Sequence, residues 1–156
     1  KMLCQAGASW HLPIHVLDQN DRFPAANYAT VFHQGDFRNK ADVLEFGRKM
    51  DVVTIEIEHI DTAALHQLVA EGIKVYPQPD KIDLIKDKGL QKQFYADHNI
   101  ATSSFALYAG AKEVKEAVDA GKISLPFVQK ARTGGYDGQG VAGIRDEEAL
   151  EEKLIA

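Results

Sequence analysis

The chain has 156 residues, and 45% of them are hydrophobic, which is enough apolar material for one large domain or two small ones. The 23 acidic residues outnumber the 18 basic ones, and the formal net charge of -5 argues against sequence-independent binding to nucleic acid. No apolar run approaches the roughly 20 residues needed to cross a bilayer, and the single cysteine excludes an internal disulfide and favours a cytoplasmic protein.

Short β-type runs alternate with helix-type runs in the first half of the chain. A helix-type stretch opens the sequence at 1–8, and Asn39 and Asp61 are placed to cap later helices, the second of which ends at Gly72. The predicted strands lie at 14–17, 30–32, 52–57 and 73–76. Strands that alternate with helices through short connections predict a parallel sheet with helices on its faces. We therefore predict an α/β fold with a Rossmann-like domain at residues 1–79.

The second half begins with a predicted connector at residues 80–99, formed by one helix from Lys81 to about His98. A small α+β lobe at residues 100–156 follows, with its elements in the order βαββα. The predicted strands lie at 104–108, 125–131 and 141–144, and the helices lie at 111–120 and from Asp146 onwards.

A glycine-dense segment joins the last two predicted strands. Four of the twelve glycines fall between Gly134 and Gly140, more than a two-residue turn requires. Glycine permits positive φ and leaves backbone amides open to an anion. The spacing is neither that of a P-loop nor that of a Rossmann fingerprint, because a strand follows it. We predict a loop that covers the phosphates of a nucleotide, and the alternative is a plain hairpin with an exposed turn.

Four side chains at this loop are candidates for binding or chemistry. Lys130 lies late in the preceding strand and is placed to contact a phosphate, although a surface lysine with its stem on apolar surface is the alternative. Arg132 is two residues further on, so we expect it on the same strand face. Tyr136 could stack on a second substrate, and Asp137 could accept a proton or orient an amine. The alternative is that both residues only anchor the loop, through an Asx-type turn at Asp137.

Other polar residues have weaker patterns. Lys88 and Lys92 lie four apart on the predicted connector helix, where a solvated face is the usual interpretation. Glu56 and Glu58 project to one face at the end of a predicted strand, and Asp18 ends another, where ligands gather in parallel sheets. An ordinary polar strand end explains these acids equally well. The six histidines and the cysteine show no convincing metal-ligand spacing, so no zinc site is predicted.

Two runs of sequence, DKGLQKQFYADHNIATSSFALY and PFVQKARTGGYDGQG, resemble the ATP-grasp family. More narrowly, the chain is similar to the 5-(carboxyamino)imidazole ribonucleotide synthases, which form the ATPase subunit of phosphoribosylaminoimidazole carboxylase. The runs HVLD, VVTIEIEHI, VYPQPDKIDLIKDK, LQKQF and ARTGGYDGQG occur in the expected order. The resemblance implies a carbon–nitrogen ligase of de novo purine biosynthesis. Such an enzyme uses MgATP and bicarbonate to carboxylate aminoimidazole ribonucleotide through carboxyphosphate, and releases ADP and phosphate.

The resemblance also implies roles for individual positions. Lys130 matches the lysine that contacts the ATP phosphates, and Tyr136 with Asp137 face the aminoimidazole side as catalytic residues. Lys88 falls where an arginine commonly contacts ATP. A lysine at this position keeps the positive charge but cannot make the two parallel hydrogen bonds of a guanidinium. The implied nucleotide-binding residues are Lys88, Lys130, Gly135, Tyr136, Asp137, Gly138, Gln139, Gly140 and Val141.

The resemblance further implies that parts of the family's domains lie outside this sequence. A first strand and a Gly-rich turn are expected before Lys1, and the acidic magnesium ligands are expected after Ala156. No metal ligand is therefore expected within the sequence, and we predict that this piece alone is inactive. The family suggests a homodimer. Another ATP-grasp carboxylate–amine ligase and a non-catalytic nucleotide-binding module are the alternative functions.

Overall fold

A computed structural model describes residues 1–135 and 139–155. The chain divides into two compact units, unit 1 from Lys1 to Asp83 and unit 2 from Leu84 to Ala156. No helix in the described part of the chain is both long and apolar enough to cross a membrane.

Unit 1 carries four strands within its described residues, and they form two parallel pairs. Strand β1 (His15–Asp18) pairs with β2 (Val31–Gln34), and β3 (Val52–Thr54) pairs with β4 (Lys74–Tyr76). The helices that lie or begin in this unit are α1 (Met2–Ser9), α2 (Lys40–Gly47), α3 (Thr62–Ala70) and α4 (Pro79–Lys86). The alternation of parallel strands and helices confirms the predicted α/β fold class.

Side-chain caps fix where the helices of unit 1 begin. The Asn39 side chain accepts hydrogen bonds from the amides of Ala41 and Asp42, and the Asp61 carboxylate accepts one from Ala64 at 2.7 Å. Removing such a cap costs about 1 kcal/mol. After α3 the chain turns at Gly72, whose φ of 91° lies in the left-handed region. The predicted caps at Asn39 and Asp61 and the predicted helix end at Gly72 are confirmed.

The core of unit 1 lies where α2 and α3 pack on the strands. Leu65 and Leu68 of α3 are fully covered, and they join Val43 of α2 and Val75 of β4 in one buried cluster. Burying each such side chain contributes roughly 1.5–3 kcal/mol. A methyl group added at Gly47 would collide with the Leu68 side chain, so the close approach of the two helices requires glycine there.

Unit 2 is built from one antiparallel hairpin and short helices. Strand β5 (Phe127–Lys130) pairs with β6 (Val141–Ile144), and α7 (Glu147–Glu152) covers one side of the pair. The other helices of the described residues are α5 (Lys88–Asp97) and α6 (Ala111–Asp119). The functional division at 1–79, 80–99 and 100–156 stays a prediction.

The predicted single helix from Lys81 to about His98 is wrong, because two helices occupy this stretch. Asp87 separates them with an extended backbone, φ -110° and ψ 106°. Its carboxylate accepts hydrogen bonds from the amides of Gly89 at 2.7 Å and Leu90 at 3.1 Å. A side chain that caps a new helix start offers the backbone an alternative to continuing the previous helix.

The predicted strand at 104–108 is also wrong, because residues 101–108 have no regular structure. Phe105 and Leu107 alternate as in a strand, yet they remain 37% and 47% exposed. The described residues supply no partner strand for this segment, and strand propensity is realised only on a paired, half-buried surface. The Lys92 ammonium instead donates hydrogen bonds to the hydroxyls of Thr102 at 2.5 Å and Ser103 at 2.9 Å.

Candidate functional site

The β5–β6 hairpin has one face that remains open. Lys130 lies opposite Val141 and Val128 lies opposite Gly143, and residues directly opposite each other project to the same side. Lys130 is exposed, and the side chains of Val128 and Val141 are 61% and 44% exposed. We call these four residues the open strand face. An ammonium beside two valines combines a phosphate ligand with an apolar surface that fits a planar base.

The other face of the hairpin is packed. Phe127, Ala142 and Ile144 contact a cluster that includes Ala149 and Leu150 of α7, and Ile144 is fully buried. Alternation along each strand therefore separates a stabilising face from a face available to a ligand.

The glycine-rich loop closes at its base through a hydrogen bond from the Ala131 amide to the Gly140 carbonyl at 2.8 Å. Gly134 and Gly140 have φ angles of 76° and 69°, which other residues rarely adopt. A side chain on Gly135 would collide with the Gln139 carbonyl oxygen. Three of the four glycines are thus required by the path of the chain. Glycine density alone therefore does not establish a phosphate site, and the open strand face is the feature that favours one.

Three of the predicted loop residues, Tyr136, Asp137 and Gly138, lie outside the described residues, so their roles stay predictions. Gln139 is exposed and Gly140 is half-buried, and Val141 begins β6.

The structure brings Lys88 to the base of this loop. Lys88 is the first residue of α5, and its amide donates a hydrogen bond to the Arg132 carbonyl at 2.9 Å. Its ammonium, half-buried with the rest of the residue, donates to the Gly135 carbonyl at 3.1 Å. Lys88 therefore does not lie on a solvated helix face. Lys92 shares the helix, and its ammonium donates to the hydroxyls of Thr102 and Ser103.

Arg132 does not share the strand face of Lys130, and that prediction is wrong because β5 ends at Lys130. Its guanidinium instead makes a bidentate contact with Asp87, with Nε–Oδ1 at 3.0 Å and Nη2–Oδ2 at 2.6 Å. The hydrogen bond from Arg132 is the largest cause that lowers the pKa of Asp87 below its usual value. The Arg132 charge is thus engaged by a carboxylate, whereas Lys130 presents its charge on the open strand face.

Two of the three acidic candidates of unit 1, Glu56 and Glu58, do not project from a strand. Because β3 ends at Thr54, the predicted strand at 52–57 is too long, and Glu56 and Glu58 are exposed in the loop before α3. Asp18 does end β1, and its carboxylate accepts a hydrogen bond from the Gln19 amide at 2.8 Å. The acids follow the carboxyl ends of β1 and β3, as predicted, but no shared face joins Glu56 and Glu58.

Sequence reasoning missed a pair of histidines on neighbouring strands. His15 Nδ1 of β1 lies 3.1 Å from His33 Nε2 of β2, and the His33 ring packs edge-on against Phe46. Burial is the main cause that lowers the pKa of His33, followed by His15. Residues two apart in register on adjacent strands are within reach of each other. Within residues 1–135 and 139–155, no three His, Cys, Asp or Glu side chains are grouped to hold a metal ion.

A groove of about 1010 Å³ runs beside β6 and α7. Its lining mixes two basic and three acidic side chains, Arg145, Lys153, Asp146, Glu148 and Glu152. This mixture has no preference for an anion, and the lining includes Val141 and Gly143 of the open strand face but not Lys130. The open strand face is therefore the better candidate for a nucleotide.

Comparison with known proteins identifies the family of the chain. Residues 1–86 match the ribonucleotide synthetase preATP-grasp domain, and residues 93–156 match the ATP-grasp domain. The phosphoribosylaminoimidazole carboxylase of Ogataea methanolica is 34% identical over 157 residues, which are 99% of this chain and 29% of that protein.

Two solved structures are similar to this chain over nearly its whole length. N5-carboxyaminoimidazole ribonucleotide synthetase from Thermotoga maritima has a TM-score of 0.86 and 29% identity, and the match covers 99% of this chain and 40% of that one. N5-carboxyaminoimidazole synthetase from Staphylococcus aureus, complexed with ADP, has a TM-score of 0.88 and 27% identity over 97% and 40% of the two chains. The chain thus spans well under half the length of these proteins.

The match over residues 1–86 covers more than half of the chain. The chain belongs to the ribonucleotide synthetase preATP-grasp family, and its residues 93–156 match an ATP-grasp domain.

Proposed function

We propose that the full-length protein carries out the ATP-dependent carboxylation of aminoimidazole ribonucleotide with bicarbonate. The reaction proceeds through carboxyphosphate and gives 5-(carboxyamino)imidazole ribonucleotide, ADP and phosphate in de novo purine biosynthesis. The protein is thus an ATP-dependent carbon–nitrogen ligase. The observation that carries the proposal is the open strand face, with Lys130 at its end, in a chain of this family. The printed names of its relatives and the ADP complex of the Staphylococcus aureus protein support it.

In this proposal each part of the site has one task. The Lys130 ammonium binds the phosphates, and Val128 and Val141 contact the base through their exposed methyl groups. The loop from Gly135 to Val141 covers the nucleotide and excludes water, which protects a short-lived acyl phosphate from hydrolysis. Tyr136 and Asp137 act on the aminoimidazole side.

The described residues fit a nucleotide better than they fit its metal. Lys130 is exposed on the open strand face, and a Cβ added at Gly143 would meet no atom within 4 Å, so this face has room for a ligand. Magnesium, when bound, offsets negative charge on the phosphates during transfer. We propose that its acidic ligands lie after Ala156.

One assay tests the reaction. The full-length protein is incubated with ATP and bicarbonate, with and without aminoimidazole ribonucleotide, and ADP release is measured. We expect ADP release that depends on both compounds. ADP release that depends on neither bicarbonate nor aminoimidazole ribonucleotide would contradict the proposal and favour a different ATP-grasp ligase. ATP binding without turnover would favour a non-catalytic nucleotide-binding module.

We also propose that the full-length protein is a cytoplasmic homodimer, with its functional parts at 1–79, 80–99 and 100–156. The assembly rests on the family resemblance, and the composition with a single cysteine supports the compartment. Light scattering after size-exclusion chromatography measures the mass in solution, and a monomeric mass would contradict the proposed assembly.

A further inference from the structure

We propose that Asp87, Gly89 and Arg132 form a clamp that positions the start of the glycine-rich loop, together with Lys88, for nucleotide binding. The inference deepens the proposed function and rests on it for the identity of the ligand. We call these three residues the loop clamp. Asp87 and Arg132 are positioning residues, because they act on the nucleotide through the loop and through Lys88.

The carboxylate of Asp87 joins two segments that lie 45 residues apart in the sequence. Its Oδ1 accepts from the amides of Gly89 and Leu90, which fixes the start of α5. Both of its oxygens also accept from the Arg132 guanidinium, at 3.0 and 2.6 Å. Two parallel hydrogen bonds fix the orientation of the guanidinium relative to the carboxylate as well as the distance between them. The side chain of Asp87 is 19% exposed and that of Arg132 is 50% exposed, so the carboxylate is the more shielded partner of the pair.

The backbone supports the same junction. The first amides of a helix have no partner within the helix, and the Lys88 amide finds one in the Arg132 carbonyl at 2.9 Å. The Lys88 ammonium then reaches the Gly135 carbonyl at 3.1 Å. Residues 87–88 thus hold the loop at two points, residue 132 and residue 135.

Gly89 provides the room for the clamp. Glycine inside a helix is less favourable than alanine by about 1 kcal/mol, so its presence in α5 needs a reason. A Cβ built on Gly89 would lie 2.7 Å from Nε and 3.1 Å from Cζ of Arg132. The guanidinium therefore occupies the space that a side chain at position 89 would fill. Gly89 allows the fork to lie against the first turn of α5.

Holding the loop start before the nucleotide arrives lowers the cost of ordering it on binding. Lys130 lies two residues before Arg132, so the clamp also fixes the direction in which the chain leaves β5. Loss of the clamp should weaken ATP binding and leave the chemical step nearly unchanged. The expected signature is a raised KM for ATP at nearly constant kcat.

The test uses Asp87→Asn and Gly89→Ala in the full-length protein. Asparagine at position 87 still caps the helix but lacks the negative charge that pairs with Arg132. Alanine at position 89 displaces the Arg132 side chain while it favours the helix. We expect each change to raise the KM and the calorimetric Kd for ATP about tenfold, on the scale of one charge-assisted hydrogen bond. We expect kcat to change less than about twofold.

Glu71→Gln is the matched control. It breaks the Arg48–Glu71 pair of unit 1, which has the same bidentate geometry at 2.7 and 2.7 Å. We expect no change in the KM or Kd for ATP in this variant. Equal effects in the control and the clamp variants would overturn the inference, as would an unchanged KM in Gly89→Ala.

A second measurement separates this inference from the proposed reaction. Hydrogen exchange of residues 131–135 without nucleotide should become faster in Asp87→Asn and Gly89→Ala and stay unchanged in Glu71→Gln. If the wild type binds ATP but forms no carboxylated product, the reaction is wrong, and the Kd values still decide the clamp. If exchange is unchanged in both clamp variants, or if the wild type binds no ATP, the clamp inference is wrong.

Discussion

The two faces of the β5–β6 hairpin differ although both are built from the same two strands of four residues each. Along β5, Phe127 and Gln129 point towards the packed side, and Val128 and Lys130 point away from it. The packed face ends in the fully buried Ile144, whereas the open face leaves Val128 61% exposed. One short strand pair thus stabilises unit 2 with one side and presents a binding surface with the other.

The largest expected effect is on the open face. Lys130→Ala should lower ATP-dependent turnover about 100-fold, because the phosphates lose a charged partner. Stability should change by no more than about 0.5 kcal/mol, since the side chain is exposed. Steady-state ADP release and thermal unfolding of the full-length protein check both parts. Equal losses of activity and stability would show that Lys130 has a structural role.

The packed face should respond in the opposite way. Ile144→Ala should destabilise unit 2 by about 2–5 kcal/mol, because it removes fully buried atoms and leaves a cavity. Val141→Ala on the open face is the control and should cost about 0.5 kcal/mol or less. Urea unfolding measures both values. Similar destabilisation by the two changes would contradict the division into two faces.

The loop that joins the two strands should show an intermediate effect. Gly134→Ala should destabilise the loop by about 1–2 kcal/mol, because φ at this position is 76° and alanine is strained there. Gly134→Asn should cost less, since asparagine tolerates the left-handed region better. Differential scanning calorimetry of the two variants measures the difference. An alanine variant as stable as the wild type would show that this loop conformation is not maintained.

The smallest effects concern the two arginine–carboxylate pairs, Arg48–Glu71 and Arg132–Asp87. Arg48 lowers the pKa of Glu71 from 4.5 to about 2, chiefly through its hydrogen bond to the carboxylate. Because the folded-state pKa is depressed, the stabilisation is present above about pH 4.5 and is lost as the pH falls towards about 2. Asp87 follows the same direction below its usual value of 3.8, with Arg132 as the main cause.

Unfolding of the wild type and of Glu71→Gln across this pH range checks the effect. The difference in stability should be largest near neutral pH and should shrink as the carboxylate of Glu71 becomes protonated. A difference that stays constant with pH would contradict the assigned cause.

The sequence predicted those features that depend on neighbouring residues. The bounds of β6, the caps at Asn39 and Asp61 and the turn at Gly72 are all confirmed, because a cap or a turn needs only a few adjacent residues. Lys130 was correctly placed late in a strand, although β5 is shorter at both ends than the predicted 125–131.

Features that depend on distant residues were missed. Nothing near Asp87 shows that its partner is Arg132, 45 residues away, although an Asp directly before a helix-forming run could have indicated the break between α4 and α5. The alternating pattern of Phe105 and Leu107 predicted a strand, but a strand also requires a partner edge that local sequence does not specify.

The most direct test of the central claim is a crystal structure of the full-length protein with a non-hydrolysable ATP analogue. We predict that the Lys130 ammonium lies within hydrogen-bond distance of a phosphate oxygen and that Val128 and Val141 contact the base. A nucleotide bound elsewhere, with the open strand face covered by protein and Lys130 engaged in a packing contact, would contradict the account.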